Sequence, residues 1–147
     1  MTDTVICGNT SAGIVQTADS KQMHLFADDS KVLTVENGLL KIYARISRVK
    51  GSDIASQNTI TLPLNGTLFH VTGTTNIKHL TTTNWSEGSA VVLIFKGALT
   101  ITNNAASPPV DTAPILLNNS QDFQVQVNST LSLVYDGEYW FETGRKL

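Results

Sequence analysis

Cysteine is nearly missing from this chain: Cys7 stands alone among 147 residues, which excludes an internal disulfide framework. Charge is also scarce. Asp, Glu, Lys and Arg make up 15% of the sequence, against the ~25% usual for soluble domains, and the net charge is −2. A nucleic-acid surface needs a basic stripe that displaces phosphate counterions, and no such stripe is present. The densest basic stretch is Lys41, Arg45, Arg48 and Lys50; it lacks an interleaved aromatic platform and is read as a solvated face. No apolar run approaches the ~18 residues of a membrane span, so no membrane partner is expected. The opening Met-Thr-Asp-Thr offers neither a basic nor an apolar leader region, so synthesis and folding in the cytoplasm are expected.

Sustained 3.6-residue apolar periodicity is missing as well, which leaves helix a minor element. Thr, Asn, Ser and Gln fill the space vacated by charge and give a neutral, hydrogen-bonding surface. Five Asn-x-Ser/Thr sequons occur, at Asn9, Asn65, Asn84, Asn118 and Asn128. Without a secretory route they follow from Asn and Thr richness. A chain of this length buries roughly two-thirds of its unfolded surface and needs no staple to fold.

Short strands separated by turn chemistry every 8–12 residues or so are the positive signal. They predict an all-β fold, an antiparallel jelly-roll-like β-sandwich with an N-terminal arm or hairpin segment. Residues 1–30, broken by Gly8 and Gly13 into short pieces, are assigned to an arm or to edge strands, with Asp28-Asp29-Ser30 as a loop. Residues 31–147 are assigned to the sandwich. Asn37-Gly38 predicts a type I′ hairpin turn, because both central residues need positive φ. That turn sets Glu36 opposite Leu39, Val35 opposite Leu40 and Leu33 opposite Ile42. The uninterrupted apolar run Val91–Phe95 predicts a strand buried on both faces or at the sandwich centre. The three prolines Pro108, Pro109 and Pro114 predict a loop over 103–114 rather than a central strand.

Asp136-Gly137 marks the terminal hairpin, with two registers open. A two-residue loop sets Leu133 opposite Trp140, and a three-residue loop sets it opposite Phe141. Burial of the larger indole favours Trp140 facing inward.

Chemistry is hard to place on this sequence. His24, His70 and His79 lack the short spacings and acid or thiolate partners of a metal centre, so no metal is expected. Cys7 lacks an accompanying oxyanion-type glycine motif, which speaks against a thiolate nucleophile. The carboxylates fall mostly in loops and turns, where Asp satisfies backbone donors, and none is selected as one of a glycosidase pair. No catalytic residue is therefore assigned. Trp85, Tyr139 and Phe141 are the candidates for a contact surface, either as anchors against a protein or as platforms for a sugar ring, with core packing as the equal alternative.

One combination of segments is more specific. Phe69-His70-Val71-Thr72-Gly73-Thr74-Thr75-Asn76-Ile77, then 92–104 (VLIFKGALTITNN), then Ile115-Leu116-Leu117, then 131–145 with its Asp136-Gly137 and Trp140, resembles a β module of tailed-bacteriophage virion-surface proteins, of the tail-fibre and capsid-decoration type. The likeness covers about half the chain, residues 67–147. Asn118-Asn119-Ser120 replaces the usual Gly-Gly before the last strand pair, and the loop at 105–114 is longer than the pattern. The resemblance implies a homotrimer with neither enzymatic activity nor cofactor.

Residues 1–65 ahead of that module are short for a fibre shaft. The expectation is therefore a decoration (cement) protein on the outer surface of the virion head, clamping the major capsid protein. The alternative is a short tail-fibre tip that recognises a bacterial surface polysaccharide.

Overall fold

The computed structural model describes residues 4–9, 12–17, 22–27 and 30–147, with side chains described from residue 22 onward. Asp28 and Asp29 of the expected loop lie outside the described residues, and so does the Cys7 side chain. The chain divides into two compact units at Ser47/Arg48. The hairpin starting at residue 31 therefore belongs to the N-terminal unit, which corrects the expected boundary at residue 30.

In the N-terminal unit, β1 (Thr4–Asn9), β2 (Ala12–Thr17), β3 (Gln22–Ala27), β4 (Ser30–Glu36) and β5 (Leu39–Ile42) follow one another in a single five-stranded antiparallel sheet. Of the two readings of residues 1–30, strands rather than an arm describe the resolved segments. The Asn37-Gly38 turn is as expected, with φ of 47° and 75°. Glu36 pairs with Leu39, Val35 with Leu40 and Leu33 with Ile42.

The C-terminal unit contains β6 (Ile54–Ala55), β7 (Thr59–Ile60), β8 (Leu68–Thr72), β9 (His79–Thr81), β10 (Ala90–Phe95), β11 (Leu99–Ile101), β12 (Thr112–Leu116), β13 (Phe123–Val125), β14 (Thr130–Tyr135) and β15 (Trp140–Lys146). Eight of these form a sheet in the order β6-β8-β10-β14-β15-β12-β9-β7, while β11 and β13 pair separately. The end strands β6 and β7 are joined by Ser56-Gln57-Asn58, so the sheet nearly closes on itself around one interior. The fold is all-β, as the turn spacing implies.

Strand direction is less uniform than expected. The pairings β6–β8, β8–β10, β12–β15 and β7–β9 are parallel, and the others in the large sheet are antiparallel. Parallel neighbours cannot be joined by tight turns, and accordingly no two parallel neighbours here are consecutive in the chain.

Alternation builds the core. Along β10, Val91, Leu93 and Phe95 point inward while Ala90, Val92 and Ile94 are half-buried. Phe69 and Val71 from β8, Leu131 and Leu133 from β14 and Trp140 from β15 join them, each at most 1% exposed. Burying side chains of this size contributes about 1.5–3 kcal/mol apiece. Lys96-Gly97 turns the chain against Gly73, where an added Cβ would lie 2.1 Å from the Gly73 carbonyl oxygen.

Pro114 corrects another expectation. It lies within β12, paired with His79 in a strand flanked on both sides. The ladder to β15 starts only at Ile115. Pro114 therefore occupies the open end of that ladder, where its missing N–H breaks no bond.

The turns account for the asparagines. Asn37, Asn84, Asn104, Asn119 and Asn128 all have left-handed φ between 45° and 70°, a region Asn tolerates better than other side chains. Asn65 ties the 51–66 region together by accepting from Ser52 N–H at 3.1 Å and donating to Ser52 Oγ at 2.7 Å. Local backbone demands thus explain three of the sequon residues, Asn65, Asn84 and Asn128.

Candidate interaction surface

The terminal hairpin takes neither expected register. Tyr135 pairs with Trp140, Val134 with Phe141 and Leu133 with Glu142, which leaves a four-residue loop over 136–139. Asp136 sets that length. Its Oδ1 accepts from Glu138 N–H at 2.9 Å and Tyr139 N–H at 2.6 Å, and its own N–H donates to the Tyr139 carbonyl at 3.1 Å. The N–H bonds from Tyr139 and Glu138 hold the Asp136 carboxyl below its ordinary pKa. Gly137, at φ 102°, completes the turn, and Tyr135 Oη donates to its carbonyl at 2.7 Å. Moving the register by two residues preserves which face each side chain takes, so Trp140 is buried as expected.

Trp85 takes the core-packing alternative and not the open contact role. Its loop is pinned to β14 by Gly88 N–H donating to the Tyr135 carbonyl and Tyr135 N–H donating to the Ser89 carbonyl. The Trp85 ring meets Trp140 edge-on, 5.9 Å between centroids at 72°, and Tyr135 lies 5.2 Å from Trp140 on another side. Trp85 is consequently half-buried packing rather than an open platform, and neither indole N–H meets an acceptor. Tyr139 and Phe141 do stand together at the surface, edge-to-face at 6.1 Å, with Phe141 39% exposed. The Glu138 carboxylate raises the Tyr139 phenol above its ordinary pKa. Of the three expected contact aromatics, two form a pair and the third braces the core.

Two ionic clusters escaped the sequence reading. Glu142 alternates onto the same face as Trp140 and is drawn inward. Arg145 Nε donates to its Oε1 at 2.6 Å, Arg145 Nη2 and Asn118 N–H donate to its Oε2, and the guanidinium lies 4.3 Å over the Phe123 ring. Burial pushes the Glu142 carboxyl up, but these donors more than cancel that effect and its pKa is lowered.

At the other end, Lys50 donates to Asp53 Oδ1 at 2.7 Å and His70 Nδ1 stands 3.7 Å away, so His70 has an acid nearby after all. The hydrogen bond from Lys50 holds the exposed Asp53 carboxyl below its ordinary value. Asp53, Gln57, Thr59 and Thr61 line an open cleft of about 220 Å³ along the seam between β6 and β7.

The histidines are separated. His79 Nε2 is 3.2 Å from the Ala105 carbonyl, while His24 Nδ1 meets Thr34 Oγ1 at 2.8 Å. Among the described residues no group of three His, Cys, Asp or Glu side chains is placed to hold a metal ion. Each carboxylate with a lowered pKa answers to a turn or an ion pair. No family model, curated protein or solved structure matches the chain.

Proposed function

We propose that the chain is a non-enzymatic structural protein of a tailed-phage virion, a decoration protein that binds the outer surface of the head as a homotrimer and reinforces the major capsid lattice. The observation that carries this reading is how the polar groups of the C-terminal unit are used. Asp136 closes a turn, Glu142 and Arg145 lock β15 to Phe123 and Asn118, and Lys50 pairs with Asp53. What these bonds leave outward is a nearly neutral surface rich in Thr, Asn and Ser, with single apolar side chains such as Leu64, Val110 and Val127 among them. The likeness of residues 67–147 to phage surface modules gives that scaffold its setting.

A cement protein adds stability by binding the assembled shell and not its separated subunits, so its contribution follows mass action. A surface this poor in charge would do so through many modest neutral contacts, with weak dependence on salt.

A second reading, a tip that recognises bacterial surface polysaccharide, is favoured by the surface Tyr139–Phe141 pair, of which Phe141 is exposed, and by the polar cleft beside Asp53. Mixing the purified protein with heads that lack it separates the two. Co-sedimentation with heads, and a higher temperature for genome release, are expected for a cement protein. Absence from the head lattice, with labelling at the tail and glycan binding lost on Phe141→Ala, would transfer the assignment to the tip.

A further inference from the structure

The N-terminal sheet is built inside out. Cross-strand register places Met23, Val35 and Leu40 in one row and Leu25, Leu33 and Ile42 in the next, all on the same face. That face is open: Met23 is 41% exposed, Leu25 39%, Leu40 52% and Ile42 44%. The opposite face carries His24, Thr34, Glu36 and Lys41 together with the exposed Leu39. His24 and Thr34 are 7% and 2% exposed and bonded to each other, and Glu36 accepts from Gln22 and Lys41. A sheet with one solvated face normally turns its polar residues outward, so this polarity calls for a cover.

We infer that the Met23–Val35–Leu40 and Leu25–Leu33–Ile42 face is where copies of this chain meet. The inference rests on the homotrimer of the proposed function and names the surface that forms it. Two features point to a second copy as the occupant. The first is size. The six side chains leave roughly 300–400 Å² of apolar surface uncovered, within the range of the largest patch on a typical monomer and often a functional one. A standard interface takes ~800 Å² from each partner with a little over half of it apolar, so this patch supplies most of the apolar share. The second is chemistry. None of the six carries a charge or a hydrogen-bonding group. A charged partner would bury its ions unpaired against them, whereas three copies set about a threefold axis turn the same uncharged face toward one another.

Leu39 provides a matched control, because it is 54% exposed but lies on the opposite face, paired with Glu36. Light scattering on the full chain at about 1–100 μM is expected to give three times the 15.9 kDa chain mass for the wild type and for Leu39→Glu. Leu40→Glu is expected to give the single-chain mass with an unchanged far-ultraviolet spectrum, its association weakened at least about a hundredfold. Trimeric Leu40→Glu would overturn this surface and leave the trimer standing. A monomeric wild type would overturn the trimer and this surface together. Pelleting of the wild type with neutral phosphatidylcholine vesicles, abolished by Leu40→Glu, would reassign the face to a membrane and overturn the inference.

Discussion

Replacing Glu142 by Gln tests how far the sandwich depends on its buried carboxylate. The Glu142 side chain is fully buried, and three donors converge on its two oxygens: Arg145 Nε, Arg145 Nη2 and the Asn118 N–H. Gln keeps the volume and one acceptor. If its oxygen stays with Asn118, its NH₂ group points at the guanidinium, donor against donor. Removing one partner of a fully buried pair costs about 3–5 kcal/mol. Arg145 is 25% exposed, so water takes over part of its solvation, and the expected loss is about 2 kcal/mol. For a unit the size of Arg48–Leu147 that lowers the melting temperature by about 10 °C.

The effect has a pH signature. The folded Glu142 pKa lies below the ordinary 4.5, so its contribution is complete above that value and fades as pH falls through the folded value. Calorimetry of wild type and Glu142→Gln should show the full gap at neutral pH and a narrowing gap in acid, as pH falls below the ordinary 4.5. A gap equally wide at both pH values, or no gap at neutral pH, would refute the argument that the ionised pair is what stabilises.

Three further substitutions probe other parts of the fold. Gly97→Ala puts a Cβ 2.1 Å from the Gly73 carbonyl oxygen and should cost about 2–3 kcal/mol as the turn is forced outward; an unshifted urea midpoint would contradict that close approach. Trp140→Ala should cost about 3–5 kcal/mol. Trp140→Phe should cost less than half as much, since it also removes an N–H that meets no acceptor, and equal losses in the two variants would show that the indole's polar end matters. Asn37→Val places a β-branched residue at φ 47° and should weaken the β4–β5 hairpin by about 1–2 kcal/mol, measurable as faster amide exchange there; unchanged exchange would disprove a type I′ turn.

Local turn chemistry made parts of this fold legible in advance. Asn37-Gly38 admits one turn type, and that turn fixes the β4–β5 register. At the other end, alternation foretold a buried Trp140 even though the loop proved longer than either reading, because Asp136 binds the N–H groups of both Glu138 and Tyr139. Long-range features were less accessible. Whether β8 lies parallel to β10, or β12 to β15, depends on closure of the whole sheet rather than on nearby residues. Pro114 could sit in a central strand because the neighbouring ladder begins one residue later, which no local pattern announces. The Lys50–Asp53 pair is visible as an i, i+3 spacing, but His70 joins it only through pairing of β6 with β8. Periodicity also grouped Leu33, Val35, Leu40 and Ile42 on one face. It could not say that this face stays open, because a pattern assigns residues to faces and leaves unspecified what packs against them.

That open face bears on how a weakly charged scaffold could hold a shell at all. Neutral contacts made by one copy are individually modest, and without electrostatic steering their association is slow. Joining three copies converts the second and third contacts into intramolecular events, so avidity can exceed single-site affinity by about 10²–10⁴ without any new contact. On the proposed reading, self-association by the N-terminal sheet and head binding by the C-terminal unit are separate tasks that multiply. A Leu40→Glu monomer, its C-terminal unit intact, should therefore bind heads at least about a hundredfold more weakly than the wild type, while Leu39→Glu binds normally. If the monomer binds as tightly as the trimer, the symmetry serves something other than avidity, and the strength must reside in one copy's contact with the lattice.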